Sequence, residues 1–147
     1  LFACAFARSD QVETRFFFLA NKFISFPPLE RDVAIGHLKE FLELYRSGMR
    51  EALPFFPNSS YAYQLERNKS GFEEEGEPAG PFSTAVKKAR AKWKSNQYGG
   101  AFIRGEGDDP ANKLCFREDP FDHPDFAELA GRVFGPLLEK EREEAKP

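Results

Sequence analysis

Apolar runs separated by polar turns open the chain and predict a β-hairpin. Thr14–Ala20 is dense in strand-forming residues, Asn21–Lys22 is a turn signal, and Phe23–Phe26 follows as a second short strand. Two runs of this kind joined by a short turn indicate antiparallel pairing. Pro27–Pro28 ends the hairpin, because proline has no backbone N–H to donate to a ladder. The opening stretch Leu1–Ala7 is too short for its periodicity to separate helix from strand.

A helical period predicts the longer elements. Glu30–Ser47 carries one arc of apolar side chains, and Gly48 supplies the C-terminal stop. The arc consists of Ala34, Ile35, Leu38, Phe41, Leu42 and Tyr45. A weaker stripe of Val33, His37 and Leu44 lies on another side. Two apolar stripes predict that this helix is covered on two sides, in part by upstream chain or by a partner.

Three more helices follow from capping signals and apolar spacing. They are a short helix from Asn58-Ser59-Ser60 to about Arg67, a helix from Pro81 to about Ser95, and a last helix that opens at Asp122-His123-Pro124. Pro136 is expected to kink the last helix, because proline removes a helical hydrogen bond. The polar stretch Asn68–Gly80 is predicted to be a mobile loop.

Glycines divide the region between these helices. Gly99-Gly100 breaks the chain, Ala101–Arg104 is a candidate short strand, and Gly105–Pro110 reads as a turn-rich loop. Together the elements predict an α+β (α/β) fold, with a short β-hairpin and three to four helices. We expect a single domain over residues 1–138, truncated at its N-terminus, and a polar tail over residues 139–147.

Composition narrows the class of protein. The 147 residues are 41% hydrophobic and include 17 phenylalanines, enough for a core and, we expect, for part of an interface. The net charge of −3 argues against a wholesale basic wrap around nucleic acid. Cys4 and Cys115 are isolated, which predicts buried or half-buried thiols and neither a disulfide framework nor a zinc site. The sequence shows no membrane span and no signal peptide.

The polar residues do not assemble a catalytic motif. His37 lies within a helix and His123 precedes a proline at a helix start, where packing and capping are the natural roles. Neither a Gly-x-Ser-x-Gly motif nor a phosphate-binding loop occurs. Glu106, Asp108 and Asp109 could bind a divalent cation, but a solvated turn is the favoured interpretation. We therefore predict no catalytic, metal-binding or cofactor-binding residue.

A basic stretch is the more suggestive feature. No acidic residue occurs between Glu77 and Glu106. The same stretch holds Lys87, Lys88, Arg90, Lys92, Lys94 and Arg104, around a stripe formed by Phe82, Ala85, Val86, Ala89 and Trp93. Two interpretations are open. Either the cations simply extend into solvent from the edges of the packed face, or they contact phosphates or an acidic partner. The candidate contact residues for nucleic acid or a partner are Lys87, Arg90, Lys94 and Arg104.

The order of several motifs resembles one known family. The motifs are Phe26-Pro27-Pro28-Leu29, Leu44-Tyr45-Arg46-Ser47-Gly48-Met49, Pro54-Phe55-Phe56-Pro57, Ser60-Tyr61-Ala62-Tyr63, Lys88-Ala89-Arg90-Ala91-Lys92-Trp93, Arg104-Gly105-Glu106-Gly107-Asp108-Asp109 and Phe134-Gly135-Pro136-Leu137-Leu138. From about Thr14 to Leu138, this series is similar to the C-terminal end of the RecC family, the gamma subunits of exodeoxyribonuclease V. Each motif is weakly specific, whereas their order and spacing are specific.

The resemblance implies a function that composition could not show. The family acts in a cytoplasmic bacterial helicase–nuclease, RecBCD, which unwinds and degrades double-stranded DNA ends in recombinational repair. Other subunits carry the motors and the nuclease. The expected partners are therefore RecB-like and RecD-like subunits, with DNA reached through the complex. The implied fold is a degenerate PD-(D/E)xK restriction-endonuclease-like fold that has lost its catalytic residues.

Two other functions stay open from the sequence. The chain could be an active metal-dependent nuclease domain whose key strand lies upstream of Leu1. The strands Thr14–Ala20 and Phe23–Phe26 contain no Asp or Glu, so the strand carboxylates of such a nuclease are missing here. The chain could also be a stand-alone nucleic-acid-binding module, which predicts binding that weakens steeply with salt.

Overall fold

A computed structural model describes residues 14–17, 23–26, 29–69 and 83–144. The described residues form five α-helices and two antiparallel hairpins, so the predicted α+β class is confirmed. Five helices are present where three to four were predicted. Each hairpin is a separate two-stranded sheet, and this arrangement does not support a resemblance to the PD-(D/E)xK fold.

The first hairpin is present where the sequence predicts it. Strand β1 spans Thr14–Phe17 and strand β2 spans Phe23–Phe26. They pair antiparallel, with Thr14 opposite Phe26 and Phe17 opposite Phe23. The predicted turn Asn21–Lys22 lies outside the described residues, as do Leu1–Ala7, Cys4 and most of the expected mobile loop.

The chain divides into two compact units, which we describe separately. One unit comprises residues 1–51 and 137–147, and the other comprises residues 52–136. The expected single domain over residues 1–138 remains a prediction.

Helix α1 belongs to the first unit and spans Arg31–Gly48, one residue later at each end than predicted. Asp32 in its first turn and Arg46 in its last turn suit the partial charges of the helix ends. The predicted apolar arc is only partly covered. Ala34 is fully buried, whereas Leu42 and Tyr45 are 47% and 65% exposed.

The second unit contains most of the remaining helices. They are α2 (Pro57–Lys69), α3 (Thr84–Trp93), α4 (Pro110–Cys115) and the first part of α5 (Pro124–Glu144). Single 3₁₀ turns cover Glu106–Asp108 and Pro120–Asp122. No described helix is long and apolar enough to cross a bilayer.

Local chemistry sets these boundaries. Helix α3 begins at Thr84, later than the predicted Pro81, because the Ser83 hydroxyl accepts a hydrogen bond from the Val86 N–H at 3.2 Å and caps the helix. It ends at Trp93, and Lys94 is already extended. Helix α5 contains Pro136, as predicted, and continues to Glu144 into the expected polar tail.

An aromatic core holds the second unit together. Phe56 lies at its centre, with ring centroids 4.5 Å from Trp93 and 5.1 Å from Phe116, both at edge-to-face angles. The buried members of the core are Phe56, Tyr63, Ala85, Val86, Ala89, Phe121, Phe126 and Ala130. The predicted stripe of Ala85, Val86, Ala89 and Trp93 therefore faces this core, while Phe82 is outside the described residues.

The second hairpin follows α3. Strand β3 spans Asn96–Tyr98, strand β4 spans Ala101–Ile103, and Gly99-Gly100 joins them. Both glycines have positive φ, 59° and 83°, as a tight two-residue hairpin turn requires. The sequence predicts β4 and the break at the glycines, but not β3.

Candidate functional site

Glu106 binds the start of helix α2. Its Oε1 accepts the Asn58 N–H at 2.8 Å, and its Oε2 accepts the Ser59 N–H at 2.8 Å and the Ser59 hydroxyl at 2.6 Å. The first amides of a helix have no partner within the helix and favour an anion. The carboxylate therefore completes the N-terminus of a helix that lies 47 residues earlier in the chain.

This contact corrects the expected capping of α2. The sequence predicts that Asn58, Ser59 or Ser60 caps the helix with its own side chain. Instead Pro57 is the first helical residue, and the side chain of Glu106 accepts the amides of the two residues after it. Ser60 is buried, and its hydroxyl accepts the Phe56 N–H at 3.2 Å.

The other two carboxylates of the segment are also engaged. Asp108 accepts a hydrogen bond from the Ser95 hydroxyl and pairs with the Lys113 ammonium at 2.8 Å. These two hydrogen bonds hold the pKa of Asp108 below its ordinary value, and the bond from Lys113 has the larger effect. Asp109 caps α4, accepting the Ala111 N–H at 2.9 Å. We call Glu106–Asp109 the acidic turn.

Close packing against α3 fixes the acidic turn. A Cβ at Gly105 would lie 2.2 Å from the Trp93 carbonyl oxygen, and one at Gly107 would lie 2.5 Å from the Trp93 ring. The Gly105 N–H donates to the Ser95 hydroxyl at 2.8 Å. The two glycines let the backbone approach Trp93, which a side chain would prevent.

The acidic turn is therefore an ordered structural element. The favoured interpretation from sequence, a solvated turn, describes only part of this segment, because Asp109 is exposed but each carboxylate also binds a different part of the fold. The alternative, a cation site, gains no support, since the three side chains serve separate partners. In the part of the chain that the structure describes, no group of His, Cys, Asp and Glu is placed to hold a metal ion.

The basic stretch separates into one engaged arginine and several exposed cations. Arg90 pairs with Asp119 at 2.8 Å through Nε and with Asp122 at 3.2 Å through Nη2. These contacts join α3 to the 3₁₀ turn that carries the core residue Phe121. Arg90 thus has an internal role beside the contact role that the sequence predicts for it.

The remaining cations form the basic surface, which consists of Lys87, Lys88, Lys92, Lys94 and Arg104, all exposed. The Arg104 guanidinium donates to the Asp108 carbonyl oxygen at 2.5 Å and still faces solvent. Of the predicted contact residues, Lys87, Lys94 and Arg104 are therefore on the surface. Their binding of nucleic acid or a partner remains a prediction.

Hairpin β3–β4 adds exposed apolar side chains beside these cations along the chain. All three residues of β4 are exposed, with Phe102 at 67% and Ile103 at 50%. Sequence reasoning missed this surface because it treated Ala101–Arg104 only as a short strand. The signal was available, since Phe102 and Ile103 lie within eight uncharged residues between Ser95 and Arg104.

The histidines and the described cysteine are best described one at a time. Nδ1 of His123 accepts the Asp125 N–H at 3.3 Å, which confirms a capping role at the start of α5. His37 is half-buried within α1, as its position predicts. Cys115 is exposed, so its prediction as a buried or half-buried thiol is wrong. It ends the short helix α4, which the sequence did not predict.

Comparison with known proteins shows which family this chain resembles. Residues 1–68 match the family model described as the RecC C-terminal domain. The RecBCD enzyme subunit RecC of Escherichia coli (strain K12) is 31% identical over 97 residues, which is 66% of this chain. The match covers 8% of the length of that relative. The resemblance to the RecC C-terminal domain is thus confirmed.

Proposed function

Starting from the confirmed resemblance to the RecC C-terminal domain, we propose that this chain is part of a RecC-type subunit and works by contact. Its partners are RecB-like and RecD-like subunits of an exodeoxyribonuclease V assembly in the bacterial cytoplasm. That assembly unwinds and degrades double-stranded DNA ends in recombinational repair, and this chain reaches DNA through it. The motors and the nuclease belong to the other subunits.

One observation carries the proposal that this part of the protein is not catalytic: the carboxylates of the acidic turn are bound within the fold. Glu106 holds the start of α2, Asp109 caps α4, and Asp108 binds Ser95 and Lys113. Glu106 accepts three hydrogen bonds and Asp108 accepts two, so these two carboxylates have few lone pairs left for a metal or a substrate. Their engagement supports a structural role for the best candidates for metal chemistry in the described residues.

The basic surface supports the proposed mode of contact. Lys87, Lys94 and Arg104 are exposed, and no acidic residue interrupts the sequence between Glu77 and Glu106. Exposed positive charge accelerates association with an acidic partner and favours its orientation. The four predicted contact residues include Arg90, which on this view mainly supports the turn at Asp119 and Asp122.

Co-purification of the full subunit with its RecB-like and RecD-like partners tests this function. The variant carries Lys87→Glu, Lys94→Glu and Arg104→Glu, and the control carries Lys39→Glu, Arg50→Glu and Arg117→Glu. All six residues are exposed, and both variants change the net charge equally. We expect recovery of the partners to fall by about tenfold only for the first variant. Equal recovery from both would reject the basic surface as the contact.

A nuclease assay tests the non-catalytic part of the proposal. The full 147-residue chain is incubated with linear double-stranded DNA and magnesium, and the products are separated by size. We expect intact DNA. Degradation that disappears when one carboxylate of this chain is replaced by its amide would overturn the proposal and establish a metal-dependent nuclease.

A further inference from the structure

Strand β4 presents an open edge to solvent. In the part of the chain that the structure describes, the β3–β4 sheet has two strands, so β4 pairs on one side only. Natural edge strands are commonly protected by charged residues, proline or a covering element. Ala101, Phe102 and Ile103 carry no charge and no proline, and all three are exposed. Apart from its short length of three residues, the edge therefore lacks the usual protection against strand pairing.

The register places the backbone groups of Phe102 on that edge. Gly99-Gly100 is a two-residue loop, so Tyr98 and Ala101 beside it form the hydrogen-bonded pair. Pairs alternate along an antiparallel ladder. Phe102, which pairs with Gln97, therefore directs its N–H and C=O away from β3. These groups are available to an added strand on the β4 side.

The charges around the hairpin select the kind of strand that would bind. Lys92, Lys94 and Arg104 are exposed and lie close to the base of the hairpin in sequence. The next acidic side chain, Glu106, is held at the start of α2. Asp108 also lies at this base, bonded to the Ser95 hydroxyl, but its carboxylate pairs with Lys113. Lys94 and Arg104 thus leave the base of the hairpin positive, while its tip is formed by two uncharged glycines. A strand with acidic residues at the end beside that base complements this distribution.

We propose that β4 is a docking edge for an extended, acidic segment of a partner protein, which adds as a third strand. Backbone hydrogen bonds to Phe102 hold the segment, its apolar side chains pack on Phe102 and Ile103, and its carboxylates lie beside Lys94 and Arg104. Strand addition of this kind obtains affinity from main-chain bonds and specificity from alternate side chains. The inference rests on the proposed function, since it identifies one form of the subunit contact.

A labelled synthetic peptide tests the inference on the full 147-residue chain. The peptide alternates valine and threonine and has two aspartates at each end, and a matched peptide has lysines there. We expect binding of the acidic peptide only, measured by fluorescence anisotropy. Phe102→Pro should weaken binding by about tenfold or more, since it removes the outward N–H that a third strand needs. Phe102→Ala keeps that N–H and should weaken binding less.

Variants on the opposite strand provide the control. Gln97→Pro removes an outward N–H from β3 and should leave peptide binding unchanged, which assigns docking to β4. Hydrogen exchange of the unmodified chain gives a second measurement, in which the Phe102 amide becomes protected when the acidic peptide is added. This measurement does not depend on how well the proline variants fold.

Several results would overturn the inference. They are equal binding of the acidic and basic peptides, absence of binding, equal effects of Phe102→Pro and Phe102→Ala, or an unprotected Phe102 amide. Binding of a thymine oligonucleotide in place of the peptide, lost in Phe102→Ala, would assign the hairpin to nucleic acid instead. If the acidic peptide does not bind but the partner subunits co-purify, this inference alone is rejected. If the peptide binds but the partner subunits do not co-purify, the proposed function alone is rejected.

Discussion

The acidic turn and the basic surface lie next to each other in sequence but use their charges differently. Each carboxylate of the acidic turn binds a backbone amide, a hydroxyl or an ammonium of the same chain. The cations of the basic surface face solvent. A dense cluster of charge is therefore no guide to function by itself. What matters is whether the fold already uses the charge. The exposed lysines are left for a partner, and so is Arg104, although it also donates to the Asp108 carbonyl oxygen.

The largest expected effect comes from Gly105, the glycine that lets the chain before the acidic turn pack against α3. Gly105→Ala places a Cβ 2.2 Å from the Trp93 carbonyl oxygen, so the backbone must move. We expect a loss of about 3 kcal/mol in the free energy of unfolding, measured by urea denaturation. Gly36→Ala is the control, because nothing lies within 4 Å of that Cβ and the helix gains about 0.5–1 kcal/mol. A Gly105→Ala variant as stable as Gly36→Ala would show that Gly105 is not closely packed.

Removal of the Glu106 carboxylate should have the next largest effect. Glu106→Ala leaves the Asn58 and Ser59 amides and the Ser59 hydroxyl without their acceptor. We expect a loss of about 2 kcal/mol, as for a helix cap with charged hydrogen bonds. Glu106→Gln keeps one acceptor oxygen and should lose about half of that. Glu118→Ala, on an exposed turn, should change stability by less than about 0.5 kcal/mol. A neutral Glu106→Ala would refute the capping role.

The basic residues should separate into two groups by stability. Arg90→Gln breaks the pairs with Asp119 and Asp122, and its side chain is 25% exposed, so we expect a loss of up to about 1 kcal/mol. Lys87→Gln and Lys94→Gln should each cost less than about 0.5 kcal/mol. Thermal denaturation of the three variants measures the difference. If Arg90→Gln were no worse than the two lysine variants, its internal role would be disproved.

The smallest effect is a pH dependence from Asp108. Lys113 and Ser95 lower the pKa of this carboxyl from its ordinary value of 3.8. Its stabilising contribution is therefore complete above about pH 4 and is lost as the pH falls through the lower pKa of the folded state. Denaturation midpoints measured between neutral pH and about pH 2 should fall less steeply for Asp108→Asn than for the unmodified chain. Parallel curves would contradict the shift.

The sequence predicts local structure well in this chain. Helix α1, the hairpin β1–β2, the apolar face of α3 and the start of α5 follow from periodicity and capping, which depend on near neighbours. Strand β3 was missed because Asn96-Gln97-Tyr98 is short and contains one strong strand former. Helix α4 was missed because six residues give too little periodicity to detect.

The roles of the charged residues could not be predicted in the same way. Glu106 acts on residues 47 and 48 positions away, and Arg90 acts on residues 29 and 32 positions away. Such contacts depend on tertiary packing, to which local spacing gives no guide. The sequence could show that Glu106, Asp108 and Asp109 cluster, but not that each binds a different element. It identified the cationic stretch, yet it could not separate Arg90 from its exposed neighbours.

The bond between Glu106 and helix α2 also sets an order for biosynthesis. A ribosome synthesises the first turn of α2 well before it adds Glu106, which follows Ser59 by 47 residues. At roughly 5–20 residues per second, the nascent helix waits about 2 to 9 s for the anion that completes it. A chain that terminates early, anywhere before Glu106, therefore leaves those amides open. Chaperones or proteases would meet an unfinished α2 in every such product.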